Sequence, residues 1–250
     1  IAPIKTTLPK GDTTSSGDGA AVIMANYGKV ATSGRGAIGM VAQSIGGGGG
    51  LNVLTGEAGS AGGTGSGGNI EVNNHGEIIT HGFYAHGIFA QSAGGAGQGG
   101  QVRVNNYNKI SVYGKWARPI YAISTGQHGQ DQITITNWDG ASLTGSPDGS
   151  APIYLSGGRN NTFNNYGTII SHGALVEGAP SNFTNYGSMN GLSFLGNLMN
   201  LGTLNPGKSP GTLSISGAYS QSATGTEIVE IESLTNYDRL VVSGTPGTAR

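Results

Sequence analysis

Residues 26–34 read NYGKVATSG, and this pattern of an asparagine, usually an aromatic residue, and a glycine-containing turn returns six times along the chain. The later copies are NHGEIITHG from Asn74, NYNKISVYG from Asn106, NWDGASLTG from Asn137, NYGTIISHG from Asn165, NYGSMNG from Asn185 and NLGTLNPG from Asn200. Successive asparagines are 48, 32, 31, 28, 20 and 15 residues apart, so the repeat shortens toward the C-terminus. Self-similarity of this kind indicates a repeat architecture.

Each repeat contains short runs in which apolar and polar residues alternate, as strands do. One run precedes the asparagine (70–73, 133–136), one follows it (77–80, 168–171), and a third begins at 37, 85 and 117 in the N-terminal repeats. We expect the asparagine and glycine between runs to form a turn because both tolerate positive φ. A β-sandwich would show hairpin signals and unrelated strands, and a propeller would need four strands per blade.

Three short strands per repeat therefore predict an all-β chain that folds as a right-handed parallel β-helix with a C-terminal capping segment. Equivalent positions would then lie above one another at about 4.8 Å per coil. Inward Ile, Val, Leu and Phe would fill a thin core, and stacked asparagine side chains could satisfy one another's hydrogen bonds.

The composition is consistent with this fold and excludes several others. Of 250 residues 48 are glycine, whereas hydrophobic residues make up 36% and charged residues 10%. A net charge of −1 is unlike the high net charge of disordered chains and gives no electrostatic footprint for nucleic acid. Glycine is too frequent for stable amphipathic helices, and no apolar run approaches the roughly 20 residues of a membrane helix. With no cysteine, disulfides and cysteine-based metal sites are absent.

We divide the chain into residues 1–19, a frayed lead-in or loop; 20–195, the coils of a stalk; and 196–250, a C-terminal segment. The start of the sequence does not form a signal peptide, so we expect an internal piece of a larger protein. The glycine-rich stretches 46–50, 56–68 and 94–100 lack hydrophobic residues, and we interpret them as loops leaving the coils. Strands at 212–221, 226–232 and 239–243 are the expected cap.

Two glycine motifs match nucleotide-binding signatures by their letters. Residues 202–209, GTLNPGKS, satisfy the phosphate-loop pattern, but Pro210 and Gly211 follow at once, so no helix can begin there. Residues 63–68 contain G-x-G-x-x-G without a surrounding βαβ unit. We interpret the first as a corner of the solenoid and give the second no weight.

No catalytic, cofactor-binding or metal site is predicted, and we expect no enzymatic activity and no cofactor. His81 and His172 occupy equivalent repeat positions, which favours solvent-facing positions over a metal site, since a metal needs three or four converging ligands. The other titratable residues considered are His75, His86, His128, Glu71, Glu77, Asp131, Asp139 and Asp148. The three aspartates are expected at turns and on no common face. Tyr113, Trp116 and Tyr121 form the only aromatic cluster expected at the surface, with coil packing as the simpler explanation.

From residue 196 the sequence GNLMNLGTLNPGKSPGTLSISGAYSQSATGTEIVEIESLTNYDRLVVSG resembles the C-terminal passenger region of type V autotransporters of Gram-negative bacteria. The matching residues are Leu204, Pro206, Gly207, Ser209, Pro210, Gly211, Thr212, Leu213, Gly217, Tyr219, Glu230, Ile231, Tyr237, Asp238, Leu240, Val242 and Gly244. Upstream, GMVAQSIGGGGG and GIFAQSAGGAG are similar to the glycine-rich segments of large passengers in that family.

The resemblance implies a β-helical passenger that ends in an autochaperone segment and is displayed at the cell surface or secreted. Its implied partners are its own C-terminal β-barrel translocator, absent from this chain, and the outer-membrane assembly machinery. Two alternatives stay open: an adhesin that binds host glycans or matrix, and, more remotely, a carbohydrate-active β-helix enzyme.

Overall fold

The chain folds as a parallel β-helix, as the sequence predicts. A computed structural model describes residues 16–47, 51–52, 57–58, 63–127, 131–207 and 210–244. Those residues form 24 strands and no helix. Eight parallel strands stack on one face of the solenoid, so the described part of the chain makes eight coils.

Each coil contributes one strand, or part of one, to each of three faces. The first face consists of β1 (Val22–Asn26), β6 (Ile70–Asn74), β9 (Val102–Asn106), β12 (Ile133–Asn137), β15 (Asn161–Asn165), the C-terminal parts of β17 (Ala174–Asn185) and β19 (Ser193–Asn200), and β22 (Tyr219–Gln221). The second face consists of β2 (Val30–Thr32), β7 (Ile78–Thr80), β10 (Lys109–Val112), β13 (Ser142–Thr144), β16 (Thr168–Ile170), β18 (Ser188–Gly191), β20 (Thr203–Pro206) and β23 (Thr226–Glu227).

The third face completes each coil and is joined to the first through two long strands. It consists of β3 (Met40–Ile45), β8 (Ile88–Ala93), β11 (Ile120–Thr125), β14 (Ile153–Gly157), the N-terminal parts of β17 and β19, β21 (Thr212–Ile215) and β24 (Arg239–Val242). β17 and β19 turn the corner between these faces without a loop, at Gly178 (φ 95°) and Gly196 (φ 126°). Coils 5 to 7 are therefore much shorter than coils 1 to 3.

The core is a set of apolar columns that run along the axis. On the second face the register aligns one residue from each of coils 2 to 7, all at most 1% exposed: Ile78, Ile110, Leu143, Ile169, Met189 and Leu204. In coils 5 and 6 the core contains three rings that pack edge to face, those of Phe163, Phe183 and Phe194. Most strands thus contribute only one or two apolar side chains to a narrow core, which explains how a chain with 36% hydrophobic residues folds.

Seven asparagines form a continuous hydrogen-bonded ladder, which confirms the predicted stacking. Each of the first six donates from Nδ2 to Oδ1 of the asparagine in the next coil over 2.8–2.9 Å; in chain order the seven are Asn26, Asn74, Asn106, Asn137, Asn165, Asn185 and Asn200. The last six are completely buried. In coil 8 the register places Gln221 below Asn200, and the ladder ends there.

The glycines of the repeated signature are needed for a different reason from the one predicted. A Cβ on Gly76 would lie 1.8 Å from the carbonyl oxygen of Gly28, and one on Gly187 or Gly202 would lie 2.1 Å from the corresponding oxygen of the preceding coil. The φ angles of these glycines lie outside the left-handed region. The explanation by positive φ is therefore wrong for these three glycines, where close stacking of successive backbones excludes a side chain. It holds in coil 4, where Gly140 has a φ of 74° and nothing within 4 Å of an added Cβ.

The glycine-rich stretches at 63–68 and 94–100 belong to the coils, so their interpretation as loops is wrong. Ala96 N–H donates to the Gly63 oxygen (2.8 Å), and a Cβ on Gly97 would lie 2.3 Å from the oxygen of Gly65. Backbone packs directly on backbone here, which needs no apolar side chain. Strands β4 (Leu51–Asn52) and β5 (Glu57–Ala58) pair antiparallel, outside the parallel stack. The predicted loop residues 48–50, 56 and 59–62 lie outside the described residues.

Both ends of the described chain depart in part from the prediction. At the start, Gly19 N–H donates to the Ser66 oxygen (2.7 Å), so the lead-in is paired with coil 2 from there. At the end, the expected strand 226–232 is reduced to β23, which pairs with β20 at Thr203 and Leu204. Residues 228–237 protrude instead, with Leu234 97% exposed. The expected strand 239–243 is present as β24.

Candidate functional site

The two glycine motifs are structural parts of the solenoid. Residues 203–206 of the phosphate-loop match form β20, between β18 and β23, while 208 and 209 lie outside the described residues. Gly65 and Gly68 of the second motif pack on the backbone of coil 1. A Cβ added to Gly65 would lie 2.2 Å from the Gly17 oxygen, and one added to Gly68 would lie 2.4 Å from the Ala20 oxygen. These contacts explain the glycines without a bound nucleotide.

The histidines are distributed over separate structural positions. His75 and His81 are exposed and stack on tyrosines, and His86 is buried, with Nδ1 accepting the Arg118 N–H (3.1 Å). His172 is half-buried and lies three coils from His81, about 14 Å at the usual strand spacing. His128 lies outside the described residues. Across the described ranges no three His, Asp or Glu side chains come together as metal ligands would.

The acidic residues are likewise engaged one by one. Asp131 is buried with its Oδ1 3.7 Å from Arg159 Nε, and Asp139 accepts the N–H of its neighbour Gly140. Glu71 accepts an amide N–H of Asn73, and Glu77 pairs with Lys29 (3.0 Å) and with Lys109 (3.9 Å).

Asp148 differs from these in fixing a corner of the helix. Its carboxylate accepts the backbone N–H of Trp116 (2.7 Å) and of Ser150 (3.0 Å). Burial acts to raise the pKa of Asp148, but these hydrogen bonds outweigh it and leave the pKa below its ordinary value. The ionised carboxylate of Asp148, in coil 4, thus binds the turn that contains Trp116, in coil 3.

A column of six stacked rings follows the asparagine ladder on the outer surface. The rings, one from each of coils 1 to 6, are 4.4–5.6 Å apart and within 11° of parallel: Tyr27, His75, Tyr107, Trp138, Tyr166 and Tyr186. Each of these rings directly follows one of the first six ladder asparagines in the sequence, where the pattern predicts only a turn. Because neighbouring rings cover each other's faces, the column presents edges to the solvent, so it stabilises the stack and offers no open platform to a ligand.

Tyr113, Trp116 and Tyr121 do not form one cluster, so that interpretation is wrong. Tyr113 stacks on His81 (4.9 Å), and Tyr121 packs edge-on against Phe89 (5.3 Å). Trp116 instead stacks on Tyr84 (5.1 Å). Although the three residues are close in sequence, they lie on different parts of the coil, because the chain turns a corner between β10 and β11.

Trp116 belongs to a different group, which we name the corner cluster: Arg35, Phe83, Tyr84, Lys115 and Trp116. The Arg35 guanidinium lies 5.7 Å from the Tyr84 ring and 5.9 Å from the Phe83 ring, and Lys115 Nζ lies 4.5 Å from the Trp116 ring. Phe83 and Trp116 are 46% and 43% exposed. The cluster projects from the corner between the second and third faces of coils 1 to 3.

The backbone of the corner cluster is strained. Each of its turns is closed by an N–H to oxygen bond of 3.1 Å, from Ala37, Ala85 and Ala117. The third residue of the turn is Gly36 in coil 1 (φ 65°), but Tyr84 (φ 54°) and Trp116 (φ 58°) follow in coils 2 and 3. A left-handed conformation costs a non-glycine residue roughly 1–2 kcal/mol. Bulky aromatic side chains are therefore kept at two positions where glycine would fold more easily.

One buried carboxylate connects three segments of the C-terminal cap. Asp238, 4% exposed, accepts the backbone N–H of Gly211 (2.6 Å) through Oδ1 and that of Glu230 (2.9 Å) through Oδ2. Arg239 N–H in turn donates to the Gly211 oxygen (2.9 Å). The turn before β21 and the protruding segment after β23 are thereby held against β24.

Glu227 lies in the cap at a position that disfavours its ionised form. The register places Glu227 below Leu204, in an apolar column, and burial followed by repulsion from Asp238 raises the pKa of its carboxyl. Nearby, burial and the Glu227 charge raise the pKa of Tyr219 to about 12. Both groups favour their neutral forms in the folded cap.

We expect the cap to lose stability as the pH rises from the ordinary glutamate value of 4.5 through the raised pKa of Glu227. The folded state holds this proton more tightly than the unfolded state does, so ionisation opposes folding. Glu227→Gln should flatten this slope and leave the cap more stable than the wild type at neutral pH. Denaturation with C-terminal fluorescence labelling, at several pH values, measures it. Glu230→Gln is the matched control, and an unchanged slope in Glu227→Gln would exclude Glu227 as the cause.

No family model, curated protein or solved structure matches the chain. In the part of the chain that the structure describes, no helix is long and apolar enough to span a bilayer.

Proposed function

We propose that this chain is a non-catalytic segment of an autotransporter passenger: a β-helical stalk at the surface of a Gram-negative bacterium. In this proposal the C-terminal segment promotes translocation across the outer membrane and folds first. The partners are a C-terminal β-barrel translocator and the outer-membrane assembly machinery. The sequence resemblance from residue 196 supports the family, and the parallel β-helix is compatible with it.

The observation that carries the proposal is the progressive shortening of the coils. The ladder asparagines of coils 6 and 7 are 15 residues apart, against 48 for coils 1 and 2, and β17 and β19 turn their corners without loops. Contacts close in sequence cost less loop entropy and form faster. A solenoid can then grow from such a nucleus by stacking one coil on the next. A C-terminal nucleus suits a chain that emerges C-terminal end first.

The C-terminal coils should be the last to lose protection when the chain is unfolded. Limited proteolysis at increasing denaturant, with mass spectrometry of the fragments, is expected to leave residues beyond 180 as the final protected core. Earlier cleavage in coils 6 and 7 than in coils 2 to 4 would contradict the proposal, whereas a cut in the protruding residues 228–237 would not.

Asp238→Ala should destabilise the cap by about 2 kcal/mol, since it removes a carboxylate that accepts two backbone N–H groups. Refolding should slow in the same variant. Fused to a translocator barrel, it should reach the cell surface in smaller amounts, measured by protease accessibility on intact cells. Asp139→Ala is the control, because Asp139 is exposed and bonds only its neighbour's N–H among the contacts described. Slower refolding with normal surface display would separate folding from secretion and contradict the proposed role.

A further inference from the structure

We propose that the corner cluster is a binding site for an acidic glycan, a polysaccharide that carries carboxylate or sulfate groups. This inference is independent of the proposed role in secretion, because it concerns a surface of the folded coils 1 to 3. It rests on three features of the same five residues: exposed rings, a strained backbone that keeps them in place, and two flanking cations.

The strained backbone indicates that the turn itself does not require aromatic side chains at these positions. In coil 1 the same turn is made by Gly36, with nearly the same φ as Tyr84 and Trp116. Strain of this kind collects at functional sites, where an observed outlier supports a hypothesis of function. The ring column beside the asparagine ladder differs in this respect, because none of its six residues has a positive φ.

The exposed rings suit the apolar faces of a sugar. Phe83 lies edge-on to Trp116 (6.2 Å, 70°), and the Tyr84 and Trp116 rings are tilted by 27°, unlike the near-parallel rings of the column. Phe83, 46% exposed, therefore leaves apolar surface open to a sugar at the corner, with the Trp116 ring edge-on beside it. Large aromatic side chains contribute much contact area with little loss of conformational freedom.

The two cations of the corner cluster favour a ligand that carries negative charge. Arg35 and Lys115 are both exposed and occupy the same turn position in coils 1 and 3, with Phe83 between them. Their backbones are therefore two coils apart, about 9.6 Å at 4.8 Å per coil. An acidic glycan in which a charged sugar alternates with a neutral one can place a negative group near each cation and a neutral ring over Phe83. Asp148, the acid nearest Trp116 in the hydrogen-bond network, is directed at the Trp116 and Ser150 N–H groups.

A nucleic acid fits the corner cluster less well than a glycan. Single-stranded nucleic acid is bound through a basic groove that follows the backbone, in addition to stacking rings. Here two cations occupy one corner of a chain whose net charge is −1. Single-stranded DNA therefore serves as the polyanion against which selectivity is measured.

Trp116 can report on its own site. The chain has two tryptophans, so Trp138→Phe leaves Trp116 as the only one. In that variant, titration with hyaluronate oligosaccharides, in which glucuronate alternates with a neutral sugar, should change the Trp116 fluorescence in a saturable manner. Neutral chitin oligosaccharides and single-stranded DNA should produce no comparable change, and added salt should weaken the binding of hyaluronate.

Two variants test the assignment in the full chain by calorimetry. Trp116→Gly removes the ring and relieves the positive φ, so binding should weaken about tenfold or more while the melting temperature stays the same or rises. Arg35→Gln combined with Lys115→Gln should weaken binding to a similar extent and abolish its salt dependence. Tyr186→Ser, in the ring column, is the control and should bind as the wild type does.

Several results would overturn the proposal. These are an absence of hyaluronate binding, equal binding of chitin oligosaccharides or DNA, or wild-type affinity in Trp116→Gly. None of them bears on proteolytic protection of the C-terminal coils, so failure here is distinguishable from failure of the secretion proposal.

Discussion

Asn137→Ala is expected to lower the free energy of unfolding by about 4 kcal/mol, because it breaks the asparagine ladder at its centre. Asn137 is completely buried, accepts from Asn106 Nδ2 and donates to Asn165 Oδ1, each at 2.8 Å. Alanine removes both bonds and leaves the two facing amide groups short of a partner in a site closed to water. Chemical denaturation followed by circular dichroism gives the loss.

The control for Asn137 is another stacked asparagine that solvent can reach. Asn182 accepts from Asn197 Nδ2 at 3.1 Å, and both side chains are exposed. Asn182→Ala should therefore cost about 0.5 kcal/mol or less. Asn137→Asp provides a second test: an ionised carboxylate cannot donate to Asn165, whereas a protonated one can. Its deficit should shrink as the pH falls, and a deficit that is independent of pH would mean that packing, not hydrogen bonding, stabilises the ladder.

The fold was accessible from the sequence because a solenoid repeats its own constraints. Asn26, Asn74 and Asn106 each begin the same turn, so the repeat and the stacking could be read together from the spacing. What the spacing does not show is where the backbones of successive coils approach so closely that a side chain cannot fit. The need for glycine at 76, 187 and 202 comes from the backbone of the coil above, and the same is true of the stretches at 63–68 and 94–100.

The corner cluster was harder to predict because its residues come from three coils. Trp116 was recognised, but it was grouped with Tyr113 and Tyr121, its neighbours in sequence, whereas its neighbours in space are Tyr84 and Phe83. Alignment of GRGA (34–37), GFYA (82–85) and GKWA (114–117) would have shown the shared turn. The positive φ at the third position of the turn could not be predicted for Tyr84 and Trp116, because neither residue type favours it. Only the structure shows it.

Gly187→Ala is expected to destabilise the protein by about 3 kcal/mol, through steric overlap rather than backbone strain. An added Cβ would lie 2.1 Å from the Gly167 oxygen and 2.5 Å from that of Tyr166. Both atoms belong to the backbone of the coil above, so neither can move aside as a flexible side chain would. Relief requires coils 5 and 6 to separate, which stretches the hydrogen bond from Asn165 to Asn185 (2.8 Å).

Gly28→Ala isolates this steric contribution, because Gly28 holds the same position of the signature in coil 1. An added Cβ there has nothing within 4 Å, and φ is outside the left-handed region at both glycines. Gly28→Ala should therefore be neutral or slightly stabilising, since alanine has fewer unfolded conformations to lose. Thermal melts of the two variants, side by side, measure the difference. Equal losses would mean that the signature glycines serve the conformation of the turn; a loss confined to Gly187→Ala would show that they set the distance at which one coil stacks on the next.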